Sequence, residues 1–201
     1  KHKFKDKKFT ETDFTFPYNY YAKTKIFAEK KILNNCEDYL IIRTNFFGKG
    51  FFYRKSFSDL IIEKLTDEKN CYLFKDVSFT PISIDNLIYC IKYLIDKNKK
   101  GIFNICSNEK ISKYEFGILI AKHLNLNSNL IKPISLSKKK LVIRPKNMAL
   151  SNKKISKLLP KSFFSIKNQI GSLKKEYKFS KFIPYGKHSI NNTDVQKVKK
   201  I

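Results

Sequence analysis

Two side chains with acid–base chemistry, Tyr21 and Lys25, stand four residues apart in a stretch with helical spacing. Residues four apart share one face of a helix, so a phenol and an ammonium group can contact the same bound molecule. The ammonium charge favours the phenolate, which makes the tyrosine a usable acid or base near neutral pH. The pair is therefore a candidate for proton transfer.

Spacing alone does not single out this pair. Tyr93 with Lys97 and Tyr177 with Lys181 have the same Y-x-x-x-K spacing, and chance matches are expected in a chain so rich in lysine. The surroundings of Tyr21 distinguish it, because it lies within an ordered run of acidic, proline and asparagine positions. These are T-E-T-D at 10–13, P at 17, N at 19, Y-A-K-T-K at 21–25, E at 29 and I-I-R-T-N-F-F-G at 41–48.

The elements that must position the pair follow from hydrophobic periodicity. Residues 18–34 predict a helix, with a buried side formed by Tyr21, Ile26, Ala28, Ile32 and Leu33. The apolar run 39–42 predicts a buried strand that ends before a glycine-containing loop.

Helix and strand patterns continue to alternate after that loop. Ser112 and Glu115 have the spacing of a capping box at the start of one helix. The alternation predicts an α/β fold with a largely parallel sheet. The predicted helices are 56–65, 83–95, 112–124, 151–159 and 165–177, and the predicted strands are 71–74 and 102–106.

Composition restricts the class of protein. A chain of 201 residues, 42% of them hydrophobic, suffices for one sizeable core. No stretch approaches the roughly 18 apolar residues of a membrane span, and the four cysteines have no spacing typical of a metal site, so a cytoplasmic protein without a metal is expected. The chain does not begin with methionine, and we expect it to start inside a larger protein.

The net charge of +25 raises the question of nucleic acid as a partner. Only three of the 42 basic residues are arginine, the residue on which sequence-reading proteins depend for bidentate contacts. We interpret the spread of lysine as a solvated surface that still favours an anionic ligand such as a nucleotide sugar. No nucleic-acid partner is expected.

The run around Tyr21 resembles the E-x-D…P-x-N-x-Y-(G/A)-x-(S/T)-K…E segment of extended short-chain dehydrogenases, and residues 41–48 resemble that family's next block. Three later blocks resemble the dTDP-4-dehydrorhamnose reductases: T-P-I-S-I-D-N-L at 80–87, G-I-F-N-I with S-K-Y-E-F at 101–116, and R-P-K-N-M-A-L at 144–150. The resemblance covers about residues 3 to 160. Asn104 and Ser107 depart from the family's usual His and Gly, which leaves the sugar undecided.

This resemblance implies the carboxy-terminal half of an NAD(P)-binding Rossmann-type parallel sheet with a small substrate-binding lobe, over residues 1–180. NADPH or NADH would reduce a nucleotide-linked 4-keto-6-deoxysugar for deoxysugar or surface polysaccharide biosynthesis. Tyr21 would protonate the carbonyl oxygen, Lys25 would hold the nicotinamide ribose and keep Tyr21 acidic, and Thr44 and Asn45 would lie near the nicotinamide through backbone contacts. Arg144 is either a contact for the nucleotide pyrophosphate or a structural clamp.

Two parts of the family's machinery are not found in this sequence. No glycine-rich G-x-x-G-x-x-G loop occurs, and the Thr residues before Tyr21 are too close to it to serve as the family's catalytic Ser or Thr. We therefore expect the chain alone to be inactive. We also expect an exposed apolar face, with poor solubility or self-association into a homo-oligomer as the result.

The segment F-I-P-Y-G-K-H-S-I at 182–190, with the residues up to Val198, resembles the opening of PLP-dependent sugar aminotransferases of the DegT/StrS kind. Residues 181–201 would then be the start of a truncated aminotransferase segment, which implies a fusion of the two enzymes.

Three other functions stay open on the sequence. An NAD-dependent epimerase or dehydratase of the same superfamily would share the Tyr21–Lys25 pair. A non-catalytic binding or regulatory domain would keep the fold without using the pair, and a basic nucleic-acid-binding module would use the charge alone.

Overall fold

The computed structural model describes residues 7–51, 53–136 and 145–180. Helices and strands alternate along these residues, and most of the strand pairs are parallel, which confirms the predicted mixed α/β fold. The helices are α1 (Tyr20–Asn35), α2 (Phe57–Thr66), α3 (Ile84–Asp96), α4 (Lys113–Leu124) and α5 (Ile166–Ser180). The strands are β1 (Leu40–Thr44), β2 (Phe46–Phe47), β3 (Cys71–Phe74), β4 (Ser78–Phe79), β5 (Ile82–Ser83), β6 (Gly101–Ile105), β7 (Ile111–Ser112), β8 (Ile131–Ile134) and β9 (Asn147–Met148).

The parallel pair β1–β6 has one apolar face and one polar face. Successive side chains of a strand point to opposite faces. Ile42 and Phe103, which are register partners, lie on the face that packs with α3 in a buried cluster. Arg43 and its register partner Asn104 therefore lie on the opposite face. β1 continues two residues beyond the predicted strand, through Thr44, because the ladder with β6 extends to Thr44 and Ile105.

A second core fills the lobe formed by α2, α4, α5, β3 and β8, which we term the second lobe. Phe116 of α4 is fully buried there, and its ring centroid lies 5.2 Å from that of Phe47, 5.4 Å from Phe79 and 6.0 Å from Phe57. The predicted capping box starts α4: the Glu115 N–H donates to Ser112 Oγ (3.1 Å), and the Ser112 N–H donates to Glu115 Oε2 (2.7 Å). Local capping and a nonlocal aromatic cluster thus both hold this helix.

The predicted buried side of the first helix is wrong. No residue of α1 is buried, and Tyr21 is 70% exposed. The physical reason is that the described residues place no apolar layer over Tyr21, Ile32 and Leu33. The apolar side of α1 therefore has no core against which to pack. The exposed apolar face continues along the helix and the segment before it, through Phe14, Phe16, Tyr20 and Phe27.

The short helical stretch predicted near 151–159 is confirmed only in part, because a 3-10 helix forms there at Ile155–Lys157 alone. The buried Asn152 side chain holds the preceding chain away from a helix, because its Nδ2 donates to the Cys106 carbonyl (3.1 Å) and to Asn108 Oδ1 (2.9 Å). Pro160 then ends the segment, since the residue before a proline avoids helical geometry.

One carboxylate joins the loop after β2 to two helices. Asp59 Oδ2 accepts hydrogen bonds from the Gly50 N–H (2.8 Å) and the Ser56 N–H (2.7 Å), and Oδ1 accepts one from the Tyr177 hydroxyl. Burial alone would raise the pKa of Asp59, but the hydrogen bonds from Tyr177, Ser56 and Gly50 outweigh it and lower the pKa below 3.8. The ionised carboxylate is therefore the form that stabilises the lobe.

We expect acid to remove this stabilisation. A carboxyl group with a lowered pKa in the folded state contributes fully above its unfolded pKa of 3.8, and the contribution is lost as pH falls through the folded pKa. The free energy of unfolding of the wild type and of Asp59→Asn is measured in urea at several pH values. The wild type should be the more stable of the two, and this difference should shrink below pH 3.8. A difference that stays constant down to pH 2 would contradict this assignment.

Candidate active site

The structure brings Tyr21 and Lys25 together on one face at the start of α1. Asn19 caps this helix, its Oδ1 accepting from the Ala22 N–H at 2.9 Å. The Lys25 ammonium lies 5.7 Å from the centroid of the Tyr21 ring. Because the Tyr21 side chain is largely exposed, its phenol is accessible to a molecule bound beside the helix.

The competing tyrosines occupy different settings. The Tyr177 hydroxyl is engaged by Asp59 in the second lobe. Tyr93 lies in the last turn of α3, and Lys97 is the residue that caps that helix. Tyr21 is thus the tyrosine of the three whose phenol is largely exposed beside its lysine, while Lys181 lies outside the described residues.

The start of α1 lies toward the carboxyl end of β1. The helix ends at Asn35 and the strand begins at Leu40, and Glu29 of the helix contacts Arg43 near the end of the strand, so the two run in opposite directions. Ligands of parallel α/β sheets bind outside the carboxyl ends of the strands. Tyr21 and Lys25 are therefore at the end of the sheet where such a ligand would bind.

Thr44 and Asn45 lie at this same end of β1, but with different hydrogen bonding. Asn45 Nδ2 donates to the Met148 carbonyl at 2.9 Å, and the Asn45 carbonyl accepts from the Ile82 N–H at 2.9 Å. The Thr44 hydroxyl is buried, and no described residue gives it a hydrogen-bond partner. Asn45 is thus engaged in holding the chain, and the enclosed Thr44 hydroxyl lies on the same face of β1 as Ile42, away from α1.

Arg43 joins α1 to the sheet, a role that the sequence reasoning missed. Its Nε donates to Glu29 Oε2 at 3.1 Å and its Nη2 to Glu29 Oε1, while Nη1 donates to the Glu11 carbonyl at 3.1 Å. Both side chains of the ion pair are less than one-fifth exposed. The available signal was the rarity of arginine, since one of only three occupies this motif position.

Residues 7–13, which we term the amino-terminal strap, contact β1, β6 and residues 149–151. The Phe9 N–H donates to the Ala149 carbonyl (2.8 Å), and the Phe9 carbonyl accepts from Asn104 Nδ2 (3.0 Å). Glu11 Oε1 accepts from the Asn104 N–H at 2.9 Å. The glutamate of the E-x-D motif therefore ties the strap to β6.

Asp13, the second acidic residue of that motif, closes a turn within the strap. Its carboxylate accepts from the Lys7 ammonium and from the Thr10 N–H (2.7 Å) and hydroxyl (2.9 Å). The hydrogen bond from Lys7, followed by those from Thr10, lowers the pKa of Asp13 to about 2. Asp13 is thus an ionised structural residue near neutral pH.

Two of the predicted features, Arg144 and the segment 181–201, lie outside the described residues. Among residues 7–51, 53–136 and 145–180, no group of three or more acidic, histidine or cysteine side chains could hold a metal ion. Within the same ranges, no helix has the length and apolar character needed to cross a bilayer.

Comparison with known proteins begins with the family model of the RmlD substrate binding domain, which matches residues 3–179. Methionine adenosyltransferase 2 subunit beta of Rattus norvegicus is 28% identical over 169 residues, which are 75% of this chain and 47% of the relative. The dTDP-4-dehydrorhamnose reductase of Salmonella typhimurium is 41% identical over 117 residues, 55% of this chain and 38% of the relative. The chain spans about half the length, or less, of these relatives.

Solved structures of dTDP-4-dehydrorhamnose reductases share the fold. The enzyme from Yersinia enterocolitica matches with a TM-score of 0.74 at 24% identity, covering 85% of this chain and 61% of that one. The enzyme from Bacillus anthracis, solved in complex with NADP, matches with a TM-score of 0.73 at 21% identity, covering 87% and 61%. With the family model matching almost every described residue and the fold shared with these reductases, this chain belongs to the RmlD substrate binding domain family.

Proposed function

We propose that this chain supplies the catalytic helix and the substrate lobe of an NAD(P)H-dependent reductase acting on a nucleotide-linked 4-keto-6-deoxysugar. The observation that carries the proposal is the placement of Tyr21 and Lys25 on one exposed face of α1, at the carboxyl end of β1. Packing does not require this pair, because α1 has no buried residue. Family membership and the similarity to the Salmonella reductase support the proposed substrate class.

The residues at this end of the sheet fit a nicotinamide dinucleotide. The Lys25 ammonium can bond a ribose oxygen, the exposed apolar surface of α1 can adjoin a flat ring, and the backbone of Thr44 and Asn45 would lie near the nicotinamide. The bound dinucleotide would supply the hydride for the keto carbon. We place the glycine-rich loop and the catalytic Ser or Thr in a segment preceding this chain.

Tyr21 then acts as the general acid. As negative charge develops on the substrate oxygen, the phenol gives it a proton, and the nearby Lys25 ammonium stabilises the phenolate that is left. The ketone, NAD(P)H and one proton become the alcohol and NAD(P)⁺. Arg144 is our candidate for the pyrophosphate of the nucleotide sugar. We place the reaction in the cytoplasm, in deoxysugar or surface polysaccharide biosynthesis.

A fusion enzyme tests this proposal. The amino-terminal part of the Salmonella reductase, up to the residue before its counterpart of Lys7, would be joined ahead of Lys7, and NADPH oxidation dependent on dTDP-4-dehydrorhamnose would be followed by absorbance. We expect turnover by the fusion and none by the 201-residue chain alone. A folded fusion that binds NADPH but reduces no 4-keto sugar nucleotide would overturn the reductase. Turnover by the 201-residue chain alone would contradict the proposal that a preceding segment supplies the glycine-rich loop and the catalytic Ser or Thr.

A second candidate is a non-catalytic subunit. The rat relative is named as a subunit of methionine adenosyltransferase, and its match extends over three-quarters of this chain. In that case the exposed face of α1 would be a protein contact, and the activity of a partner enzyme would change when the chain is added. That result, together with an inactive fusion, would favour the subunit over the reductase.

The remaining hypotheses are separated by product analysis and by binding. An epimerase or dehydratase would convert the sugar nucleotide without net consumption of NADPH. A nucleic-acid-binding module would retain DNA on a filter with an affinity that falls steeply with salt. Self-association into a homo-oligomer and an aminotransferase continuation from residue 181 stay predictions.

A further inference from the structure

The helix that carries Tyr21 and Lys25 is not positioned by apolar packing. Most helices in folded proteins are held by burial of one face against a core. α1 buries no residue, and Ile32 and Leu33 on its last turns remain more than one-third exposed. Among the described residues, another interaction must therefore fix where this helix lies on the sheet.

The Arg43–Glu29 ion pair is that interaction. Nε and Nη2 of Arg43 donate to the two oxygens of one carboxylate, and this bidentate geometry fixes both distance and orientation. Low exposure of both side chains makes the pair stronger than a surface ion pair. The third donor of Arg43, Nη1, holds the Glu11 carbonyl of the amino-terminal strap, so the guanidinium is itself held in one orientation.

The ion pair lies on the same stripe of α1 as the candidate catalytic pair. Tyr21, Lys25 and Glu29 are spaced four residues apart, so each neighbours the next on the helix surface. Tyr21 lies about 12 Å along the axis from Glu29, toward the carboxyl end of β1. A rotation or shift of α1 at Glu29 is therefore transmitted to the phenol.

We propose that Arg43 is a positioning residue: by holding Glu29, it sets the rotation and the height of α1 over β1 and thereby brings Tyr21 and Lys25 to the end of the sheet. The consequence for catalysis rests on the proposed reductase function. The placement of the helix does not, so the two are tested separately.

Hydrogen exchange of the 201-residue chain tests the placement. Arg43→Met should speed exchange of the α1 amides about tenfold, while the amides of α4 keep their protection. Lys92→Met is the matched control, because it removes an exposed ion pair to Asp96 within α3 and should leave α1 unchanged. Glu29→Gln gives a milder loss should Arg43→Met fail to fold. The reversed pair, Arg43→Glu with Glu29→Arg, should restore part of the protection.

Unchanged exchange of α1 in both Arg43→Met and Glu29→Gln would overturn the proposal. Equal acceleration of α1 and α4 would also overturn it, because the pair would then stabilise the whole chain rather than place one helix.

Kinetics of the fusion enzyme test the consequence for catalysis. Arg43→Lys keeps the charge but not the two-pronged contact. We expect kcat to fall about tenfold with the KM for the nucleotide sugar unchanged, since the sugar nucleotide would bind chiefly to the second lobe. A loosened α1 with an unchanged kcat would contradict the proposed effect of Arg43 on catalysis. An inactive fusion would refute only the reductase function, because the exchange experiment still reports on the placement of the helix.

Discussion

Replacing Tyr21 with phenylalanine is expected to lower kcat of the fusion reductase by between about 100-fold and about 10,000-fold, the range for loss of a general acid. The substitution removes one oxygen and leaves the ring that Lys25 contacts. Because the side chain is largely exposed, the free energy of unfolding should change by less than about 0.5 kcal/mol. NADPH oxidation under substrate saturation measures kcat, and urea unfolding checks the fold.

Tyr20→Phe is the matched control for this prediction. Tyr20 is the preceding residue of the same helix, it is 81% exposed, and it points to a different side because successive helical residues are about 100° apart. We expect its kcat to equal that of the unsubstituted fusion. If Tyr21→Phe behaves like Tyr20→Phe, the phenol takes no part in the reaction, and the non-catalytic subunit becomes the better hypothesis.

Much of the fold was predictable because its signals are local. The capping box of Ser112 and Glu115, the helix after Pro81 and the apolar run of β1 each depend on residues close in sequence. The joint placement of Tyr21 and Lys25 on one helix face is likewise local. Parallel pairing followed from the alternation of helices and strands.

What escaped prediction depends on residues that are distant in the chain. Periodicity identifies the apolar side of α1 but not whether any other element covers it. The contacts of Arg43 join residues 14 and 32 positions away, and Tyr177 bonds a carboxylate 118 positions away. Such pairs are set by the fold as a whole. The contact with Asp59 also gives Tyr177 a structural role, although Tyr177 and Tyr21 have the same Y-x-x-x-K spacing.

The structure also changes how the family motifs are interpreted. The S-x-Y-E-F segment at 112–116 resembles a block of the reductases, yet its described contacts stabilise the fold. Ser112 and Glu115 cap α4, and Phe116 lies at the centre of the second core. Such a motif indicates the fold of the lobe, whereas the choice between reductase and subunit depends on Tyr21 and Lys25.

Phe116→Ala is therefore expected to have the largest effect on stability, lowering the free energy of unfolding by about 3–5 kcal/mol. The ring is fully buried against Phe47, Phe57 and Phe79, so its removal loses burial and leaves a cavity that three other rings line. Domains of this kind are commonly stable by only about 5–15 kcal/mol, so the variant should unfold at far lower urea concentration.

Phe27→Ala is the control that separates the loss of a buried aromatic ring from the loss of an exposed one. Phe27 is 63% exposed on α1, and its truncation should change the free energy of unfolding by less than about 0.5 kcal/mol. Near-equal losses for the two variants would show that α1 is covered in solution, which contradicts the exposed face described above. A loss below about 1 kcal/mol for Phe116→Ala would show instead that the aromatic cluster does not hold the lobe. The two variants together thus decide which part of the chain carries the core.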